Sequence, residues 1–169
     1  CSRGDKVLVH SPTYIGFTHC LTDNGYDIVH SPLVQDEADV WRMDYADMEK
    51  HLAEEHIHAA ILCSPHNPLG IVWTPEELRR MVELCIKHRV VLFSDEIHSD
   101  LIFHGKRHIP TASLSPEIAA NVVTGISATK TFNLAGLQAS TAVFPNAHMK
   151  AMFDKFWTDM DIPRNNAFS

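Results

Sequence analysis

The chain of 169 residues is long enough for one domain with a hydrophobic core. With 45% hydrophobic and 21% charged residues, the composition is typical of a globular protein and excludes a disordered chain. The formal net charge of −7 argues against nucleic acid or an anionic membrane surface as a partner, and no apolar run approaches the length of a membrane span.

Predicted strands and helices alternate along most of the chain. In chain order we predict a strand at 6–10, a helix at 13–25, a strand at 27–33, a helix at 44–56, a strand at 58–63, a helix at 74–89, strands at 90–96, 121–127 and 140–144, and a helix at 146–160. The first helix should end at the stop signal Asn24–Gly25, and Asp44 is a plausible N-cap of the second.

The helix at 74–89 carries the clearest signals. Thr74 is the predicted N-cap, Pro75 occupies the first turn, and Glu77 completes a capping box. Several strands are apolar throughout, and we expect the strand at 90–96, which begins with the apolar run "VVLF", to be fully buried. The pattern predicts an α/β fold of three layers, α/β/α, with a mostly parallel sheet, and we treat residues 1–169 as part of one domain.

Polar side chains follow four of the predicted strands, at the points where these strands end. Tyr14 follows the first strand, Asn67 lies in "SPHNPLG", Asp95 lies in "VVLFSDE", and Lys130 ends "SATK". In an open parallel sheet, groups just beyond the strand ends gather along one edge, where ligands bind. A buried carboxylate such as Asp95 costs free energy unless a cation meets it, and a lysine removed from water can act as a nucleophile or base.

Each of these four residues also has an ordinary interpretation. Asp95 could cap a helix or form a salt bridge, and Lys130 could be a solvated surface charge. Asn67 could serve only a turn, and Tyr14 could be a core aromatic. Considered together they are more specific, because a lysine amine, a carboxylate, an amide and an aromatic ring form the residue set of a pyridoxal phosphate site.

Three motifs, in their order and spacing, resemble those of the fold-type I pyridoxal phosphate enzymes of aminotransferase class I/II. "SPHNPLG" resembles the Asn-Pro-x-Gly loop of that family, "SDEIH" its Asp-Glu-x-Tyr strand end, and "SATKTFNLAG" its Ser-x-x-Lys signature. The longer stretches "CSPHNPLGIVWTPEEL" and "SDEIHSDLIFHGKRHIP" resemble the MalY/PatB-type cystathionine β-lyases, or C–S lyases. This resemblance extends over nearly all of the chain.

The resemblance implies a role for each candidate residue. Lys130 would bind pyridoxal 5′-phosphate covalently and move the Cα proton of the substrate, and Asp95 would pair with the ring nitrogen. Asn67 would hydrogen-bond the ring oxygen, and Tyr14 would stack on the ring. Ser127 would hold the phosphate, and Thr129 is a weaker candidate for the same task. No metal ion is part of this site.

Two positions depart from the pattern of many aminotransferases. His98 stands where many of them have a tyrosine bonded to the ring oxygen, and Gln138 stands where many have a phosphate-binding arginine. Both departures resemble the C–S lyase subgroup and weaken a plain aminotransferase interpretation. His98 could hydrogen-bond near the ring oxygen or merely pack, and the role of Gln138 stays open.

Three functions are compatible with these residues. The first is a C–S β-lyase that converts cystathionine or related cysteine S-conjugates to pyruvate, ammonia and a thiol. The second is an aminotransferase of the same fold, since one lysine can serve both reactions. The third is a regulator or binding module that retains the fold, although intact Lys130, Asp95 and Asn67 argue against lost catalysis.

The resemblance also implies that the chain is a piece of the large domain. In the family, a glycine-rich phosphate loop precedes the first strand seen here, and an arginine for the substrate carboxylate lies in a C-terminal small domain. Arg164 is in the wrong segment to replace that arginine. We therefore expect the chain alone to bind cofactor poorly and to be inactive, and the complete enzyme to be a homodimer.

Cysteines and histidines give no sign of a metal centre. The cysteines Cys1, Cys20, Cys63 and Cys85 are scattered, which indicates free thiols in a reducing compartment and a cytoplasmic location. The twelve histidines, among them His66, His98, His104 and His108, form no tight metal-binding pattern.

Overall fold

The computed structural model describes residues 2–103 and 105–161, so Cys1, His104 and Arg164 lie outside the described residues. Within this part of the chain the strands are β1 (Lys6–Ser11), β2 (Asp27–Gln35), β3 (Trp41–Met43), β4 (Ile57–Cys63), β5 (Val91–Asp95), β6 (Val122–Ile126) and β7 (Thr141–Val143). The α-helices are α1 (Ile15–Asp23), α2 (Tyr45–Glu54), α3 (Pro75–Lys87), α4 (Pro116–Ala119), α5 (Ala128–Thr131) and α6 (Ala147–Asp159).

The strands form one sheet in the order β3-β2-β1-β4-β5-β6-β7. The five inner strands are parallel, whereas β3 and β7 pair antiparallel with their neighbours at the two edges. The mostly parallel sheet predicted from the sequence is therefore confirmed.

The chain reverses its direction across the sheet at β1. It proceeds from β1 to β2 on one side and then returns to place β4 on the other side of β1. The loops that leave β1 and β4 consequently diverge, and in open α/β sheets such a switch point forms a crevice beyond the carboxyl ends of the strands.

Alternate residues of β1 enter two different apolar clusters, as expected for a strand covered on both faces. Leu8 belongs to the larger cluster, which also contains buried residues of α2 and α3. Val7 and Val9 pack with Leu21 of α1 in a smaller cluster. The helices therefore cover opposite faces of the sheet, which confirms the three-layer α/β/α fold.

The helix signals in the sequence correspond closely to the structure. Asp44 caps α2 by accepting hydrogen bonds from the backbone N–H groups of Ala46 and Asp47. Thr74 and Glu77 form the predicted capping box at the start of α3. At the end of α1, Asn24 is the C-cap residue, followed by a glycine with positive φ.

The strands differ from the prediction in two respects. β3 was not predicted, because "WRM" is too short to show a strand pattern and β3 is held by its pairing with β2. β5 was expected to be fully buried, but Val91 is 40% exposed. Val91 pairs with Ala59, on the face of the smaller cluster, and the apolar residues of that cluster do not extend to it.

Two further observations concern the described residues. Within the part that the structure describes, no helix has both the length and the apolar character needed to span a lipid bilayer. Cys20, Cys63 and Cys85 are free thiols, as the scattered cysteines indicated.

Candidate active site

A small cavity of about 40 Å³ lies at the carboxyl ends of the inner strands. Its walls come from the segments that follow β1 and β4, the end of β5, and α5. Seven residues line it: Tyr14, Cys63, Asn67, Asp95, Ile97, His98 and Lys130. The structure thus brings together five of the seven candidate residues, and the remaining two, Ser127 and Thr129, lie elsewhere.

Asp95 is the most deeply buried candidate and the last residue of β5. It pairs with Cys63 of β4 and with Gly125 of β6, so the register of three parallel strands fixes its position. Its Oδ1 atom accepts a hydrogen bond of 3.1 Å from the backbone N–H of Ile97. The residue is 7% exposed, and burial raises the pKa of Asp95 above its ordinary value.

Asp95 is also a carboxylate without an ion-pair partner among the described residues. The ion pairs formed within residues 2–103 and 105–161 do not include it. A buried carboxylate without a cation is costly, and such groups concentrate at functional sites. The cavity therefore contains an acceptor to which a cationic ligand atom could bind.

Asn67 reaches the cavity from a loop that the Cys63 thiol helps to fold. The Cys63 Sγ atom donates to the Pro65 carbonyl oxygen at 3.3 Å and accepts from the Asn67 N–H at 3.4 Å. Burial raises the pKa of Cys63 to about 12, so the thiol stays protonated at neutral pH. This contact was not predicted, although the position of Cys63 at the end of β4 is a usable signal in the sequence.

Tyr14 lies at the start of α1 and is 42% exposed, so it is not a core aromatic. Its ring packs closely over Gly16, where an added Cβ would lie 2.2 Å from the Tyr14 Cε1 atom. Its other neighbour is Phe17, whose ring meets it edge-on at a centroid distance of 5.5 Å. A glycine at position 16 therefore allows the aromatic ring to lie at the edge of the cavity.

Lys130 lines the cavity from α5, a single helical turn that begins directly after β6. Ser127 caps this turn by accepting a hydrogen bond from the Thr129 N–H at 3.1 Å. The Thr131 hydroxyl donates to the Asp100 carboxylate at 2.8 Å and ties the turn to the segment that follows β5. The motif suggested a lysine removed from water at the end of a buried strand, and this was wrong, since Lys130 is exposed where the chain leaves the sheet.

Ser127 and Thr129 lie in a different cavity, which has a volume of about 530 Å³. The Ser127 hydroxyl donates to the Ala139 carbonyl oxygen at 2.7 Å and lies 2.6 Å from the Thr129 hydroxyl. Their predicted role in binding phosphate stays a prediction. It requires the Ser127 hydroxyl to exchange its bond to Ala139 for a bond to the phosphate.

The two departures from the aminotransferase pattern have different surroundings. His98 is half-buried and lines both the small cavity and a neighbouring cavity of about 450 Å³. Gln138 is exposed and has left-handed backbone geometry, with φ of 51°. His98 can therefore contact a ligand in the cavity, whereas Gln138 is not among the residues that line it.

Fold and site together define a cofactor-dependent enzyme domain, and sequence comparison identifies its family. The profile of "Aminotransferase class I and II" matches residues 1–158. The chain belongs to this family, as its three motifs predicted.

Individual relatives agree with this assignment. The chain is 41% identical over 166 residues to the cystathionine β-lyase PatB of Bacillus subtilis, covering 98% of this chain and 43% of PatB. The chain thus spans less than half the length of this curated relative.

Solved structures are similar over almost the whole chain. One is a pyridoxal-phosphate-bound protein from Clostridium difficile 630, provisionally named an aminotransferase, with a TM-score of 0.93, 41% identity and coverage of 99% of this chain and 43% of that one. Another is the pyridoxal-phosphate-bound C–S lyase of Staphylococcus hominis, with a TM-score of 0.87, 33% identity and coverage of 94% and 40%. The cofactor predicted from the motifs is present in both.

Proposed function

We propose that this chain is the cofactor-binding part of a pyridoxal 5′-phosphate-dependent C–S β-lyase. The observation that carries the proposal is the cavity in which the buried Asp95, which has no counter-ion among the described residues, and Lys130 meet. The residues fit the cofactor chemically, since the cavity offers a carboxylate for a protonated ring nitrogen and an amine for a carbonyl carbon. Asn67 offers an amide for the ring oxygen.

Each candidate residue has a defined task in this proposal. Asp95 keeps the ring nitrogen positively charged through a charge-assisted hydrogen bond. Asn67 donates to the ring oxygen and orients the ring, while Tyr14 covers one of its faces. His98 lies in the same cavity and is a further candidate to contact the ring oxygen. Ser127 and Thr129 are the proposed phosphate ligands.

Lys130 is the proposed catalytic residue. When bound, the cofactor supplies an electron-withdrawing ring that stabilises negative charge at the substrate Cα. The amine of Lys130 would first hold the cofactor covalently. Once the substrate amine has displaced the lysine, the free Lys130 amine would take the Cα proton as a general base. If Cβ carries a sulfur substituent, the thiolate leaves and takes up a proton. Addition of water then gives pyruvate and ammonia.

The proposed substrates are cystathionine and related cysteine S-conjugates. The names of two relatives support this choice, the lyase PatB and the C–S lyase of S. hominis. Aminotransfer is the second candidate, because the family includes that reaction and the C. difficile relative carries that name. In the lyase reaction the thiolate leaves from Cβ, whereas in amino transfer Cβ keeps its substituent and the amino group passes to a 2-oxo acid. The same lysine can move the Cα proton in both.

The test uses the natural protein that contains this chain, supplied with pyridoxal 5′-phosphate. We expect it to release pyruvate from cystathionine without an added 2-oxo acid. Amino transfer that depends on a 2-oxo acid, with no pyruvate release, would replace the lyase by the aminotransferase. A protein that binds no pyridoxal phosphate would contradict both and would favour a regulator or binding module.

Three properties of the complete protein belong to the same proposal. It would act on sulfur-containing amino acids as a cytoplasmic homodimer. The isolated chain of 169 residues would bind the cofactor weakly and would not turn over. Size measurement of the natural protein, and cofactor titration of the isolated chain, test these points separately.

A further inference from the structure

We propose that Glu96 and His108 are positioning residues that hold Asp95 and the turn carrying His98 in place at the cavity. The inference rests on the proposed function, since Asp95 is there the partner of the cofactor. The two residues lie outside the cavity lining and act through their contacts with the segments that form it.

Glu96 directly follows Asp95, the last residue of β5, and its carboxylate bonds the hydroxyl of Ser94, which faces the opposite side of β5 from Asp95. Asp95 lines the cavity, whereas the Glu96 side chain is buried on the other side with 2% exposure. A carboxylate with so little contact with water requires partners for both oxygens. The structure provides three donors.

Both oxygens of the Glu96 carboxylate have hydrogen-bond partners. Its Oε1 atom accepts from the Ser94 hydroxyl and from the Thr111 backbone N–H, each at 2.9 Å. Its Oε2 atom lies 2.8 Å from the His108 Nε2 atom, and the two side chains are 2% and 9% exposed. Burial would raise the pKa of Glu96, but the bonds from His108, Thr111 and Ser94 together lower it below its ordinary value.

This arrangement fixes Asp95 from both sides along the chain. Ser94 and Glu96, its two neighbours in sequence, are joined to each other through the Ser94 hydroxyl. The Ser94 hydroxyl also lies 3.1 Å from the Thr111 hydroxyl. The backbone on either side of Asp95 is therefore anchored on the far side of the sheet, which leaves its carboxylate directed at the cavity.

The backbone of Glu96 connects the same point to the rest of the site. Its N–H donates to the Gly125 carbonyl oxygen at 2.8 Å, which joins the end of β5 to β6. Its carbonyl oxygen accepts from the Ser99 N–H at 3.0 Å and so closes the turn that contains His98. A shift of Glu96 would thus move Asp95 and His98 together.

The experiment measures the dissociation constant of pyridoxal phosphate and the absorption spectrum of the bound cofactor in the natural protein. The variants are Glu96→Gln, His108→Ala and His108→Gln, with Glu49→Gln as the matched control. Glu49 also forms a 2.8 Å contact with a histidine, His88, but it lies away from the cavity. Melting temperatures are recorded for every variant.

We expect Glu96→Gln and His108→Ala to weaken cofactor binding roughly tenfold or more. Metal sites lose a similar factor in affinity when a residue that hydrogen-bonds a metal-binding side chain is removed. Both variants should change the absorption of the bound cofactor. His108→Gln should restore most of the affinity lost in His108→Ala, because its amide can donate to Glu96. Glu49→Gln should match the natural protein.

Lower melting temperatures with unchanged affinity and spectrum would overturn the proposal, since the pair would then serve stability alone. Equal effects of Glu49→Gln would overturn it as well. If Glu96→Gln does not fold, the comparison of His108→Ala with His108→Gln decides. A natural protein that binds no pyridoxal phosphate contradicts the proposed function itself, whereas normal binding by the variants contradicts only this inference.

Discussion

Asp95 and Lys130 line the same small cavity, although they come from different segments at the carboxyl ends of β5 and β6. The pairing of Asp95 with Gly125 places the two strand ends side by side, and α5 begins shortly after Gly125. An acid and an amine that face one cavity can act on one ligand. Because the acid and the amine are separate residues, their proposed roles can be tested by separate mutations.

Replacing Lys130 with alanine should remove the chemistry. We expect kcat for pyruvate release from cystathionine to fall by about 10²- to 10⁴-fold or more, since the general base is lost. Covalent attachment of the cofactor, measured by its absorption, should also be lost. The control is Lys150→Ala, which removes an exposed lysine of α6 that pairs with Asp154. A Lys130→Ala protein with normal turnover would contradict the assignment of Lys130.

The same variant separates catalysis from regulation. If the protein also regulates a partner, Lys130→Ala should retain this regulation while pyruvate release is lost. Retained regulation together with lost pyruvate release would mean that both functions exist in one protein. Loss of both in a folded variant would mean that regulation depends on the bound cofactor.

Replacing Asp95 with asparagine should weaken the cofactor complex and stabilise the cofactor-free protein. Loss of a hydrogen bond to a charged group should lower affinity about 10- to 100-fold. Because burial raises the pKa of Asp95, the ionised carboxylate opposes folding, and asparagine removes this cost. Cofactor titration and urea unfolding of the cofactor-free protein measure the two effects.

The pH dependence of this stabilisation has a defined sign. The unfolded protein ionises Asp95 first, so the cost appears as pH rises above the unfolded pKa and is complete above the folded one. The gain from Asp95→Asn should thus be largest at neutral pH and vanish in acid, where both states are protonated. A gain that is constant with pH would point to packing and not to charge.

The parts of the fold governed by local signals could be predicted from the sequence. Thr74 and Glu77 stand at capping-box spacing, and the box forms because both partners lie within one helical turn. The site edge could be predicted for a similar reason, since parallel strands bring their carboxyl ends together. The location of Asn67 and Asp95 at one edge could therefore be predicted without knowing the order of the strands.

Features that depend on distant contacts could not be predicted in this way. The exposure of Lys130 depends on which segments cover α5, and no local pattern reports that. Glu96 was read only as part of a motif, because its partners His108 and Thr111 come from a later segment. Ser127 was assigned to the phosphate by resemblance, whereas its hydroxyl bonds the Ala139 carbonyl across a turn.

The capping box of α3 should contribute measurably to stability. Thr74→Ala removes the hydroxyl that accepts from the Glu77 N–H at 3.2 Å, and we expect a loss of about 1 kcal/mol in the free energy of unfolding. Thr74→Ser keeps the acceptor and is the control. Urea denaturation of both variants at one pH provides the measurement. Equal stability of the alanine and serine variants would show that the bond contributes nothing.

Acid should destabilise the protein through His10, a buried residue of β1 that lies near His66 of the loop after β4. Burial lowers the pKa of His10 from 6.5 to about 4, with the nearby His66 as a second cause. Between these pH values His10 binds a proton in the unfolded protein but not in the folded one. The free energy of unfolding should therefore fall as pH drops from about 6.5 towards 4. Above that range His10 is neutral in both states and has no such effect.

His10→Gln tests this mechanism because glutamine is polar but does not titrate in that range. We expect urea midpoints measured between pH 6.5 and 4 to depend less steeply on pH in the variant than in the unmodified protein. The matched control is His148→Gln, an exposed histidine of α6, which should leave the pH profile unchanged. An identical slope in the His10 variant would assign acid sensitivity to other groups, with His66, whose pKa burial also lowers to about 4, as the next to replace.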